Sequence, residues 1–231
     1  MKQNALPGRC LLCSPGPAIG GIRMTIYEYG DCSSKTVLIQ PIGDHELESV
    51  SNEISLISSS TDRSFSLIAV KTDDWNNDLS PWKAPAVFAD HAFEGNAVST
   101  LHQIIALCGD PDKQYFIGGY SLAGLFALWA VSQTHIFKGA AAASPSVWFP
   151  HFTEYMKQTE IKSPLVYLSL GDKEHKTRDR TIAAVRHNIC QIYSHLESKG
   201  VKCTLEWNRG NHFKEADLRS AKAFSWLLNN Q

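Results

Sequence analysis

The stretch FIGGYSLAG, residues 116–124, decides how the chain is read. An apolar run ends in two glycines, then comes Ser121, then small residues and a second apolar segment reaching Thr134. The pattern predicts a buried strand over 114–119, a sharp turn at Ser121 and an apolar helix over 122–134. A serine on so tight a strand-to-helix turn takes a strained conformation. The residues two before it and two or three after it must then be small, so that strand and helix can approach. Here they are Gly119, Ala123 and Gly124. The usual pattern is G-x-S-x-G. This chain has Ala123 at the last position, still small, with Gly124 beside it. A helix beginning after Ser121 would aim its free N–H groups and positive dipole end at a developing oxyanion. The plainer alternative is a glycine-softened bend with no chemistry, so the rest of the chain must supply a base and an acid.

Outward from this turn, strands and helices alternate. Strands are expected at 24–30, 36–43, 65–71, 137–144, 165–171 and 202–208, and helices at 45–58, 96–108, 178–199 and 214–229. In the second helix Val98, Leu101, Ile104, Ile105 and Cys108 are expected to face inward. Such alternation predicts an α/β fold, a three-layer α/β/α sandwich with a mostly parallel central sheet. Ligands in such sheets bind beyond the carboxyl ends of the strands. The aromatic segment between residues 72 and 97 is long for a loop, which marks it as functional, and its aromatic anchors argue against disorder.

The chain has 231 residues, 43% hydrophobic and 19% charged, with formal net charge −1. That is enough to bury a full core, and residues 24–231 read as one domain. No run of one charge sign supports nucleic-acid or polybasic membrane binding, and no apolar stretch is long enough for a membrane span. Residues 1–23 read as a loosely ordered extension: Pro7, Arg9, Pro15 and Pro17 interrupt what a secretory signal would keep apolar. Cys10 and Cys13 form a C-x-x-C without a second ligand pair, and the other four cysteines are scattered. A cytoplasmic setting with reduced thiols is expected.

A serine hydroxyl needs a base, usually a histidine oriented by a carboxylate, and after such an elbow acid and histidine follow in that order. Of nine histidines, His212 in NRGNHF lies between the last strand and the last helix. The others precede Ser121, fall in or beside helices, or lie in the acid loop itself, as His175 does. Two carboxylates follow the strand LVYLSLG: Asp172 and Glu174.

Four features, GGYSLAG, ASPSVWF (143–149), GDKEHK (171–176) and GNHF (210–213), resemble the α/β-hydrolase superfamily. The nearer likeness is to the esterase branch with esterase D, antigen 85 and enterobactin-esterase-like proteins. The segment DWNNDLSPWKAP (74–85) adds to it, and the likeness covers roughly residues 25–230. The resemblance implies an α/β-hydrolase fold and acyl transfer from a small-molecule ester or thioester to Ser121, followed by hydrolysis. It favours Glu174 as the acid, three residues beyond the strand-ending glycine, with Asp172 as the alternative that could instead brace the loop. It puts one oxyanion donor on the N–H of Leu122 and another near Gly43 or Asp44, where QPIGD replaces the HGGG-type loop of many lipases. It needs no cofactor and no metal. Trp75, Trp82 and Trp148 are the substrate-pocket candidates, and Asp73 and Asp74 could meet a polar substrate group. About 20 residues separate the AAAAS strand from the acid strand, too few for a large lid. The same machinery serves an acyltransferase or a peptide hydrolase, and a non-catalytic binding protein could keep the fold.

Overall fold

The computed structural model describes Leu11–Leu12, residues 24–87 and residues 92–231. The expectation for residues 1–23, and the C-x-x-C within them, lies outside the described residues apart from the short strand β1 (Leu11–Leu12). In chain order there follow β2 (Ile26–Gly30), β3 (Thr36–Ile42), α1 (Val50–Ser60), β4 (Ser66–Lys71), α2 (Trp75–Leu79), β5 (Lys83–Ala84), β6 (Phe93–Glu94) and α3 (Ala97–Leu107). The second half gives β7 (Gln114–Tyr120), α4 (Leu122–Gln133), β8 (Phe137–Ala143), α5 (Phe152–Gln158), β9 (Leu165–Gly171), α6 (Arg180–Ala183), α7 (Val185–Ser198), β10 (Lys202–Asn208) and α8 (Ala216–Asn230).

Eight strands form one sheet in the order β1-β2-β4-β3-β7-β8-β9-β10. From β4 to β10 every neighbouring pair is parallel; β2 joins β4, and β1 joins β2, antiparallel. A parallel sheet must be covered on both faces, and its strands are therefore apolar throughout. Strands β7, β8 and β9 show this: nearly every residue in them is buried. On one face Val37, Ile39, Ile117, Ala140 and Val166 pack with α3, α4 and α7. On the other, Leu38, Phe116, Ala141 and Tyr167 pack with α1 and α8. The fold is the expected α/β/α sandwich. Helix α4 is buried at 11 of its 12 positions, as an all-apolar helix must be.

Successive strands run one way from β3 to β4 and the other way from β7 to β10, so the strand order reverses between β3 and β7. That reversal opens a crevice at the carboxyl ends of these two strands. Ser121 stands at the end of β7.

Three local expectations are corrected. Helix α1 starts at Val50 and not at 45, because Glu46 and Ser49 spend their side chains on nearby backbone: Glu46 Oε2 accepts from Gly43 N and Ser49 Oγ donates to Glu46 O. Val98 points outward, 50% exposed, while Ala97, Thr100, Leu101 and Ile104 form the buried face of α3. The long helix at 178–199 breaks at Ala184 into α6 and α7. Asp179 caps α6 through the N–H groups of Thr181 and Ile182, and Ile182 and Val185 turn toward a cleft over Ser121.

Candidate active site

Ser121 has φ 57° and ψ −117°, a conformation costly for any residue with a Cβ. Its neighbours explain why the chain tolerates it. A Cβ on Gly119 would stand 2.6 Å from that of Ala123, and one on Gly124 would stand 3.0 Å from the Gly119 carbonyl oxygen. Backbone bonds fix the turn further: Ser121 N donates to Ala143 O (3.1 Å) and Ser146 N donates to Ser121 O (3.0 Å).

Three strand ends bring the polar groups together. Ser121 Oγ lies 3.0 Å from His212 Nε2, and His212 Nδ1 lies 2.8 Å from Glu174 Oε2. His212 comes from the loop after β10 and Glu174 from the loop after β9. Asp172, the other carboxylate, has a different partner: its Oδ1 accepts from Gly210 N at 2.8 Å. That bond first, then Lys173, Lys176 and Arg209 nearby, outweigh its slight burial and hold its carboxyl below the ordinary range. Asp172 thus laces the acid loop to the histidine loop, assisted by Lys173 N donating to Gly210 O.

The second oxygen of Glu174 is equally committed. Oε1 accepts from Gly171 N (2.6 Å), Ser144 Oγ (2.8 Å) and Arg219 Nη1 (2.8 Å). Burial pushes the Glu174 carboxyl up. The hydrogen bond and charge of His212, then the Gly171 N–H and the Ser144 hydroxyl, more than offset burial and hold it below 4.5. Arg219 is fully buried on α8 and also donates to Tyr120 Oη (3.1 Å), Ser144 Oγ (3.1 Å) and, through Nη2, Asn211 O (3.0 Å). Tyr120 Oη in turn donates to His212 O (2.6 Å), tying the histidine loop to β7.

A cleft of about 500 Å³ opens over Ser121 and His212. Trp75, Phe93, Trp148 and Phe213 form its apolar walls, with Lys173 and Lys176 at its polar side. Phe213 is 90% exposed, against 41% and 50% for the other two exposed large hydrophobics among the described residues. It forms a lip beside the His212 ring, 5.6 Å away edge-on.

Of the three tryptophans expected to line a pocket, Trp75 and Trp148 do so and Trp82 does not. Trp82 packs against Phe149, Phe152 and Tyr155 and donates to Pro150 O (3.1 Å), so it anchors the aromatic segment from beneath. Asp73 pairs with Lys71, and Asp74 caps α2 by accepting from Asn77 N. Neither lines the cleft. Leu122 heads α4, so its N–H has no partner within the helix. The Gly43 N–H is taken by the Glu46 carboxylate (3.0 Å), a group that burial raises to about 7 against the pull of that same N–H. Asp44 pairs with Lys71 through its side chain, and its N–H meets no acceptor among the described residues. No group of three or more His, Cys, Asp or Glu able to hold a metal occurs among the described residues. No described helix is long and apolar enough to cross a membrane.

Sequence reasoning missed Arg219, Ser144 and Tyr120. Arg219 had a signal: it shares the buried stripe of α8 with Ala223 and Leu227, at spacings of four. A cation on an apolar stripe implies a buried partner. Ser144 and Tyr120 carried none, since each depends on groups distant in sequence.

A parallel sheet with a strained serine at its topological switch point defines the α/β-hydrolase fold. No protein-family model and no curated protein sequence matches this chain. Solved structures do. The siderophore hydrolases EstA and EstB from Aspergillus nidulans superpose with TM-scores of 0.67 and 0.70 at 20% and 15% identity. The match to EstA covers 93% of this chain and 92% of EstA; that to EstB covers 98% and 96%. An IroE-like serine hydrolase from Shewanella oneidensis gives 0.72 at 13% identity, over 90% of this chain and 76% of its own. At such identities the likeness is one of fold, and the fold agrees with the resemblance seen in the sequence.

Proposed function

We propose that this chain is a serine hydrolase that cleaves a carboxylic ester or thioester of small to medium size through an acyl-enzyme. The observation that carries the reading is the unbroken path Ser121 Oγ–His212 Nε2 (3.0 Å) and His212 Nδ1–Glu174 Oε2 (2.8 Å) on the floor of a cleft. In this reading Ser121 attacks the acyl carbon while His212 takes its proton. Glu174 holds the imidazole tautomer and balances the imidazolium. The proton passes to the departing alcohol or thiol, and water repeats the cycle. The Leu122 N–H is one oxyanion donor. The Asp44 N–H is the other, because Glu46 occupies that of Gly43. The aromatic walls suit an apolar acyl group, and the likeness of fold to two siderophore hydrolases makes a siderophore ester one substrate to try. The near-neutral charge and the free cysteines Cys32, Cys108, Cys190 and Cys203 support a cytoplasmic enzyme acting on a small molecule, not on nucleic acid.

The test is labelling of the purified chain by a fluorophosphonate, with release of p-nitrophenol from esters of increasing acyl length. Wild type should label and Ser121→Ala should not. His212→Ala and Glu174→Ala should slow labelling by roughly two or more orders of magnitude, and Asp172→Asn should leave most of it. A folded wild type that does not label would sink the proposal.

A further inference from the structure

The loop after β8 carries two serines, Ser144 and Ser146, on either side of Pro145. Ser144 has φ 43°, a left-handed conformation unusual outside glycine, so the loop is held against a local preference. Its hydroxyl donates to Glu174. Ser146, two residues on, is 2% exposed and lines the cleft. Its Oγ lies 3.1 Å from Ser121 Oγ.

The direction of that bond follows from proton counting. Glu174 is ionised and accepts, so His212 Nδ1 carries the imidazole hydrogen. Nε2 of the neutral ring is then an acceptor, and the single hydrogen of Ser121 points at it. Ser121 Oγ has only lone pairs left to offer, and Ser146 must donate. The hydrogen bonds therefore run one way, Ser146 to Ser121 to His212 to Glu174.

We propose that Ser146 is a further catalytic residue, whose hydroxyl holds Ser121 in the rotamer facing His212 and stabilises negative charge on Oγ as the nucleophile forms. This rests on the serine-hydrolase reading above. In the attack the Ser121 proton moves to His212 Nε2, the Oγ–carbon bond forms, and the carbonyl π pair moves onto oxygen. Ser146 keeps its own proton throughout. Its bond to Oγ strengthens as charge grows, because hydrogen bonds to charged acceptors are about twice as strong as neutral ones. Once Oγ is an ester oxygen it accepts weakly, and the effect is spent on the bond-making step.

The experiment measures inactivation by a fluorophosphonate over a concentration series, separating the maximal rate from the half-saturating concentration. Wild type, Ser146→Ala, Ser146→Thr and Ser121→Ala are compared, with thermal midpoints for each. Ser146→Ala should lower the maximal rate roughly 10- to 100-fold, the worth of a hydrogen bond to a charged group, and leave the half-saturating concentration within about twofold. Ser146→Thr, which keeps the hydroxyl, should recover most of the rate. Equal rates for Ser146→Ala and wild type would overturn the proposal while leaving the hydrolase reading intact. So would equal losses in the Ala and Thr variants, since the hydroxyl would then not be the cause. A wild type inert to the probe would instead overturn the hydrolase reading, and this proposal with it.

Discussion

Replacing Arg219 by methionine tests how the charge on Glu174 is kept. Methionine preserves much of the aliphatic stem but removes donors to Glu174 Oε1, Tyr120 Oη, Ser144 Oγ and Asn211 O. Breaking a buried ion pair from one side costs about 3–5 kcal/mol. Glu174 would still have Gly171 N, Ser144 Oγ and His212, so the lower end, about 3 kcal/mol, is expected. For a chain of this size that corresponds to a fall of about 6–12 °C in thermal midpoint. The loss should depend on pH in a definite direction. In wild type the folded Glu174 pKa lies below its ordinary 4.5, so its ionised form adds stability that is present above 4.5 and disappears as pH falls through the folded value. Removing the guanidinium moves the folded value up. The deficit of Arg219→Met should therefore be largest near neutrality and narrow in acid. Adding Glu174→Gln to Arg219→Met should restore part of the stability at pH 7, because no buried charge is then stranded. Melting curves of wild type, Arg219→Met, Glu174→Gln and the double variant at pH 5, 6 and 7 are the assay. If Arg219→Met melts with wild type at pH 7, or its deficit grows in acid, the assigned role of Arg219 is wrong.

Three further outcomes are expected. Glu53 is wholly buried, its carboxyl raised by burial to about 8, with Gln40 Nε2 its one hydrogen-bond donor among the described residues. Between 4.5 and 8 the folded state therefore binds the extra proton, and stability falls as pH rises, by up to about 1.4 kcal/mol per pH unit. Urea midpoints of Glu53→Gln at pH 5, 7 and 9 should be flatter than wild type and higher at pH 9; parallel profiles would refute this. Gly119→Ala puts a Cβ 2.6 Å from Ala123 Cβ, and it should cost about 1–3 kcal/mol in a urea titration and slow fluorophosphonate labelling by about tenfold or more. Trp75→Ala should raise KM for p-nitrophenyl esters with little change in melting. Trp82→Ala should lower the melting temperature instead, a contrast that a shared pocket role for both would erase.

Much of the candidate site's geometry could be read in advance because the residues that meet there follow local rules. The spacing of Gly119, Ser121, Ala123 and Gly124 is dictated by one turn, and that turn lies between two elements whose apolar patterns are clear. His212 and Glu174 stand directly after strands, where a parallel sheet delivers its loops to one edge. What stayed hidden is set by packing across the sheet. Nothing near Trp82 tells it from Trp75; the difference arises because α5 lies beneath Trp82. The start of α1 was misread because periodicity reports the buried face and is blind to Glu46 bonding back to Gly43. Glu174 could be preferred over Asp172 only by resemblance. Their separation comes from Gly210 claiming one and His212 the other, an arrangement that exists only when β9 and β10 are side by side.

The residues that meet around Ser121 are unevenly spread along the chain. The elbow, its strand and its helix come first among these, whereas His212 follows Ser121 by 91 residues and Arg219 lies seven further on, in α8. On the proposed reading, a chain emerging from the ribosome in order thus carries Ser121 through 91 further residues before the base, His212, exists. The path through His212 closes only when β10 has added to the edge of the sheet and α8 has covered the far face. In the proposed hydrolase reading the serine is armed only after β10 and α8 have been made, and a chain cut short before β10 is left with an inert hydroxyl.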